Sequence, residues 1–150
     1  MSTARRGRLV AAALLAGYSA LLALALLWPT SDRQSGMVSW LVEVLQHLGL
    51  SPSLVTFARA EVLMNVLIIA PVTFLGSLWR PRLSWRSWTA YGFVASLTVE
   101  LVQGLLLPDR QAAFSDVVAN TTGALLGAVL VAGWRARSRR TQRPLVGHGP

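Results

Sequence analysis

Four long apolar stretches constrain the fold of this chain more than any other feature of its sequence. Each is close to the ~20 residues that an α-helix needs to cross the hydrocarbon core of a bilayer. They occupy residues 9–28, 62–79, 88–107 and 116–134. Tryptophans lie at ends of these stretches, where amphipathic rings settle at the level of the lipid headgroups: Trp28, Trp79, Trp88 and Trp134. The sequence therefore predicts four transmembrane helices.

The composition supports an all-α integral membrane protein. Hydrophobic residues make up 53% of the chain and charged residues only 13%, whereas a soluble domain carries about 25% charged residues. There is no cysteine, and the two histidines, His47 and His148, are far apart in the sequence. We therefore expect neither a metal site nor a cofactor.

The apolar stretch at residues 9–28 could instead be a signal peptide. It follows a basic start, and Ala23-Leu24-Ala25 resembles a cleavage site. However, the apolar run continues past this site to Trp28, beyond the 7–15 residues of a typical signal-peptide core. A retained transmembrane helix is the favoured interpretation.

The positions of the arginines predict the orientation. All fourteen basic residues are arginine, and eleven of them lie in residues 1–8, in the loop 80–86 or after Trp134. Four alternating helices put these eleven on one side, which by the positive-inside rule is the cytoplasm. The sequence thus predicts a multi-pass protein of the bacterial cytoplasmic membrane, with both termini cytoplasmic and residues 29–61 and 108–115 outside. The net charge of +8 is accounted for in this way, and we expect the bilayer, not nucleic acid, as a partner.

Residues 29–61 contain a further amphipathic pattern. Apolar residues recur at helical spacing on one side of this segment: Met37, Trp40, Leu41, Val44, Leu45 and Leu48. This pattern predicts a short outer helix of about three turns, ended by Gly49 and Pro52, that lies in the interface or covers the bundle. Residues 135–150 show no periodicity and are predicted to be a disordered, Arg-rich cytoplasmic tail, which leaves residues 1–134 as a single transmembrane domain.

Polar residues are unexpectedly frequent in the third and fourth apolar stretches. Glu100 and Gln103 share one helix face, and Asp116 and Asn120 lie on another helix at a spacing of four. With Asn65 of the second stretch, these side chains can meet in the outer half of one bundle. Arg110, in the connecting loop, can fold over them.

Two further features of these stretches concern helix packing. Gly123 and Gly127 continue the stripe of Asp116 and Asn120, and a Gly-x-x-x-Gly spacing lets another helix approach closely. Pro71 is expected to bend the second helix.

Two interpretations of the polar residues remain open. In a polar knot, Arg110 neutralises one or both carboxylates and thereby locks the helices together. In a functional pocket, the same groups bind a ligand from the outer surface. Charged and polar groups inside a membrane cost free energy and usually face a partner or an aqueous cavity. This expectation is consistent with both the polar knot and the functional pocket.

The ordered set of these residues resembles the VanZ-like family of bacterial membrane proteins. The resemblance covers about residues 60–133 and rests on an ordered set of positions: Asn65, Pro71, Glu100, Gln103, Arg110, Asp116, Asn120, Gly123 and Gly127. The chain differs from the family pattern at Thr73, where glycine is frequent, and at Ala113 and Ser115, where acidic residues are frequent.

The resemblance implies a role in the cell envelope. The family is named after a protein that lowers sensitivity to the glycopeptide teicoplanin. Reduced glycopeptide sensitivity is therefore the functional expectation, with a lipid-linked envelope precursor or a lipoglycopeptide as the ligand. The alternative is an intramembrane enzyme acting on a lipid-linked precursor, in which two carboxylates of separated pKa act as acid and base.

Overall fold

The structure is a computed structural model that describes residues 3–26, 32–106 and 113–141. These residues form five α-helices and no strand: α1 (Thr3–Leu26), α2 (Asp32–His47), α3 (Phe57–Trp79), α4 (Trp85–Leu106) and α5 (Phe114–Thr141). Helices α1, α3, α4 and α5 are long and apolar enough to cross a membrane. The predicted fold class, four transmembrane helices with an additional amphipathic helix, is confirmed.

Helix α3 lies at the centre of the bundle, where it contacts each of the other four helices. The core is formed largely by small residues of α5, including Ala119, Ala124 and Ala128, together with Val117 and Val131. Large apolar side chains such as Leu105 and Leu130 point outward instead. This arrangement is typical of membrane helices, which associate by close packing of small residues rather than by burial of large ones.

The α3–α5 contact depends on two glycines. A Cβ atom at Gly123 would collide with the backbone carbonyl oxygen of Val66, and one at Gly127 with that of Ala70. In addition, the Thr73 hydroxyl donates a hydrogen bond of 2.8 Å to the carbonyl of Ala124. The threonine that departs from the family pattern thus joins α3 to α5.

Local sequence accounts for the ends of α3. Thr56 is the N-cap, and its side-chain oxygen accepts from the Arg59 N–H at 3.4 Å, as expected for this residue type. The helix continues through Pro71 to Trp79. The bend expected at Pro71 stays a prediction.

The amphipathic helix α2 differs in detail from its prediction. It has 16 residues, more than the three turns expected, because the helix includes the polar residues that precede Met37. Val38 is buried, whereas Met37 and Trp40, and Leu48 just after the helix, are exposed, since the side of α2 that packs on α3 is rotated from the apolar stripe. Gly49 ends the helix at φ 91°, and the N–H groups of Gly49 and Leu50 bond to Gln46 and Leu45 in a Schellman motif.

The C-terminal segment also differs from the prediction of a disordered tail. Helix α5 continues to Thr141, so residues 135–141 are helical, and residues 142–150 lie outside the described part of the chain. Arginine is a good helix former, and its charge is favourable in the last turn of a helix. Arg135 also donates a 2.6 Å hydrogen bond to the carbonyl of Ser77 near the end of α3.

The bundle has two chemically distinct ends. We call the end formed by the start of α1, the loop between α3 and α4, and the end of α5 the basic end, because the arginine clusters lie there. We call the end formed by the start of α3, the end of α4 and the start of α5 the polar end. Helix α1 packs on α3 at the periphery, where the Tyr18 hydroxyl donates to the carbonyl of Ile68 at 2.8 Å.

Candidate functional site

Three helices bring buried polar side chains into the half of the bundle nearest the polar end. Helix α3 contributes Asn65, helix α4 contributes Glu100 and Gln103, and helix α5 contributes Asn120. All four are buried, although the surrounding surfaces of these helices are apolar. Burial toward neighbouring helices removes their hydrogen-bonding groups from the lipid, where no partner exists.

Glu100 joins α4 to the beginning of α5. Its Oε2 accepts a 2.9 Å hydrogen bond from the backbone N–H of Ala113, the residue immediately before α5. Alanine has no side-chain group that could cap a helix, and the Glu100 carboxylate of the neighbouring helix takes this role instead. A negative charge is favourable at this place because the helix N-terminus carries a partial positive charge.

Asn120 makes a second link between the same two helices, one turn of α5 deeper than Asp116. Its amide nitrogen donates a 3.0 Å hydrogen bond to the Ser96 hydroxyl. Ser96 is buried and was not among the sequence-predicted site residues. The sequence spacing could have identified Ser96, because Ser96, Glu100 and Gln103 follow the i, i+4, i+7 pattern of a single helix face.

A second missed residue is Glu61, near the start of α3. It is half-buried, and its carboxyl group interacts electrostatically with Asp116 in the first turn of α5. Glu61 lies four residues before Asn65, so both share a face of α3. It was overlooked because it precedes the second apolar stretch by one residue.

The other two predicted polar residues are Asp116 and Arg110. Asp116 is half-buried in the first turn of α5. Arg110 lies outside the described residues, in the segment that connects Leu106 of α4 to Ala113 before α5. Its proposed contact with the carboxylates therefore stays a prediction.

Asn65 is one of the buried polar residues of α3. Its side chain is 7% exposed. Each of Glu100, Gln103 and Asp116 has an interaction partner. Among the described residues, the buried side-chain atoms without a hydrogen-bond partner lie elsewhere, at Ser77 Oγ and Trp88 Nε1. The polar end thus combines carboxylates that are engaged with the protein and a buried asparagine.

Comparison with known families agrees with this arrangement. The VanZ/LLP1 family model matches residues 9–135, which span α1 to α5. The chain belongs to the VanZ/LLP1 family. The match confirms the resemblance and extends it beyond residues 60–133, since α1 and α2 of this VanZ-like protein are included. No curated protein and no solved structure matches the chain.

Proposed function

We propose that this VanZ-like protein lies in the bacterial cytoplasmic membrane with its polar end outside, and that the polar end binds a component of the cell envelope. The ligand class is a lipid-linked precursor or the lipid-bearing part of a glycopeptide such as teicoplanin. Binding there would reduce sensitivity to the glycopeptide. The orientation is supported by the arginine bias, and the envelope role by membership of the family.

The concentration of polar side chains at the polar end is the observation that supports a ligand site there. Asn65, Glu100 and Gln103 are buried in this half of an otherwise apolar bundle, and polar groups inside a membrane commonly mark a functional site. We assign to Asn65 the role of orienting a polar ligand that enters between the helices.

The substitution Asn65→Leu tests this proposal because the two interpretations predict opposite stabilities. If the amide serves a ligand, we expect the variant to melt at or above the wild-type temperature, and to lose binding of a lipid-linked precursor and protection against teicoplanin. Thr122→Val is the matched control, because the Thr122 side chain is exposed and its hydroxyl donates to the carbonyl of Val118 in its own helix at 2.8 Å. A variant that melts lower than wild type but still binds and protects would refute the proposal.

One observation favours the second candidate, an intramembrane enzyme. Glu61 and Asp116 interact electrostatically across the α3–α5 contact, and neighbouring carboxylates can take separate acid and base roles. Turnover of a labelled lipid-linked precursor by the purified protein tests this candidate. It predicts that Glu61→Gln folds normally and abolishes turnover, and absence of turnover by the wild-type protein would rule it out.

A further inference from the structure

The basic end holds an open cleft of strongly positive character. It has a volume of about 700 Å³ and lies between the start of α1 and the loop that joins α3 to α4. Two arginines of α1, Arg5 and Arg8, and two of the loop, Arg80 and Arg82, line it. We call this cleft the arginine bowl. The guanidinium of Arg80 lies 4.4 Å from the ring centroid of Trp79, and this cation–π contact restricts its position.

No acidic side chain of the described residues lines the arginine bowl. All six Asp and Glu residues of the chain fall in residues 32–61 and 100–116, which belong to α2 and to the polar end or connect to it. Like charges that line one cleft repel one another, and an anion between them relieves the repulsion. The bowl is therefore complementary to a negatively charged ligand.

A second cleft adjoins the arginine bowl and has the opposite chemistry. It has a volume of about 260 Å³, lies between α1 and α4 with α3 behind it, and is lined mainly by apolar side chains such as Leu22 and Ile69. Trp88 and Tyr91 line both clefts, so these two side chains lie where the clefts meet. We call the second cleft the α1–α4 crevice.

The length of the crevice matches one leaflet of a bilayer. From Trp88 it extends along α4 to Val99, which at about 1.5 Å per residue is roughly 16 Å. Half of a typical hydrocarbon core is about 15 Å. The crevice thus has the depth that one chain of a lipid in the adjacent leaflet would occupy.

We propose that the arginine bowl and the α1–α4 crevice together form a binding site for an anionic phospholipid of the leaflet at the basic end. The arginines bind the phosphodiester, since a guanidinium can donate two parallel hydrogen bonds to phosphate oxygens. The crevice holds an acyl chain of the same molecule. The deep end of the crevice reaches Ser96 and Asn120 of the polar cluster, but the lipid site does not depend on the ligand proposed at the polar end.

Lipid titration of the purified full-length protein in neutral detergent tests the charge requirement. We expect phosphatidylglycerol to raise the melting temperature in a saturable way and phosphatidylcholine to have much less effect. Arg8→Gln combined with Arg82→Gln should weaken the apparent affinity for phosphatidylglycerol at least about tenfold, since the loss of even one charge-assisted hydrogen bond has this effect.

The matched control removes two arginines from the same end of the bundle but outside the bowl. Arg137 and Arg140 are exposed on the last turns of α5, and Arg137→Gln with Arg140→Gln should leave the affinity within about twofold of wild type. An equal loss in both double variants would show a diffuse charge effect and overturn the proposal.

A second pair of variants tests the crevice. Ala95 lines it and Ala90, on the same helix, does not, while both are exposed. Ala95→Phe should weaken phosphatidylglycerol binding about tenfold by excluding about two methylene groups, and Ala90→Phe should not. Equal binding by the two variants would contradict the assignment of an acyl chain to the crevice. Equal stabilisation by glycerol phosphate would show a site for a soluble anion and would also overturn the proposal.

Discussion

Replacing both Gly123 and Gly127 by alanine should separate α5 from α3. An added Cβ at Gly123 meets only backbone atoms of Val66, and one at Gly127 meets the carbonyl of Ala70 and the Thr73 hydroxyl. Backbone atoms cannot rotate away as a flexible side chain would. The two helices must therefore move apart, which also weakens the packing of the small residues between them.

A second double variant isolates the loss of unfolding free energy that the added Cβ atoms cause. Gly17 and Gly133 are also helical, but a Cβ at either meets no atom within 4 Å. Both double variants gain the same helix propensity, about 1 kcal/mol per glycine. The difference between their unfolding free energies therefore reports packing alone. At about 1–3 kcal/mol for each overpacked site, the unfolding free energies should differ by about 2–6 kcal/mol.

Thermal unfolding in one detergent, followed by tryptophan fluorescence, is a suitable assay. For a chain of this size 1 kcal/mol shifts the melting temperature by about 2–4 °C. We therefore expect the Gly123→Ala, Gly127→Ala variant to melt at least about 4 °C below the Gly17→Ala, Gly133→Ala variant. Coincident melting curves would refute the close approach of α5 to α3.

Two other predictions concern orientation and the cap of α5. With single cysteines, an impermeant thiol reagent added to intact cells should label Gly36→Cys and not Ser84→Cys; the reverse pattern would invert the assigned topology. Glu100→Gln should lower the unfolding free energy by about 1 kcal/mol, because a neutral amide replaces the charged acceptor at a helix N-terminus. Thr98→Val, on an exposed face of α4, is its control in the same melting assay, and equal stability of both variants would exclude a capping role.

The apolar stretches and their small-residue spacing were sufficient to predict the helices of this fold. Length and hydropathy identify α1, α3, α4 and α5 because a bilayer requires long, continuous apolar segments. Exact ends were less predictable. Helix α5 continues to Thr141 since arginines outside the apolar stretch are still good helix formers, and hydropathy gives no signal for such residues.

Contacts between helices set the limit of what the sequence could predict at the polar end. Helical spacing groups Glu100 with Gln103 and Asp116 with Asn120, but it does not show which neighbour each side chain meets. The bond from Ala113 to Glu100 and the proximity of Glu61 to Asp116 depend on how α3, α4 and α5 are rotated against one another. Only the tertiary structure determines those rotations.

Arg110 provides the most direct test of whether the polar end is a binding site. The measurement is the melting temperature of Arg110→Ala, with and without Asp116→Asn, alongside protection against teicoplanin. If Arg110 binds an anionic group of the ligand, the single variant should melt like wild type and lose protection, with no rescue by Asp116→Asn. A loss of about 3–5 kcal/mol, as expected when a buried ion pair is broken, that Asp116→Asn repairs would contradict the binding site and leave the polar residues with a structural role alone.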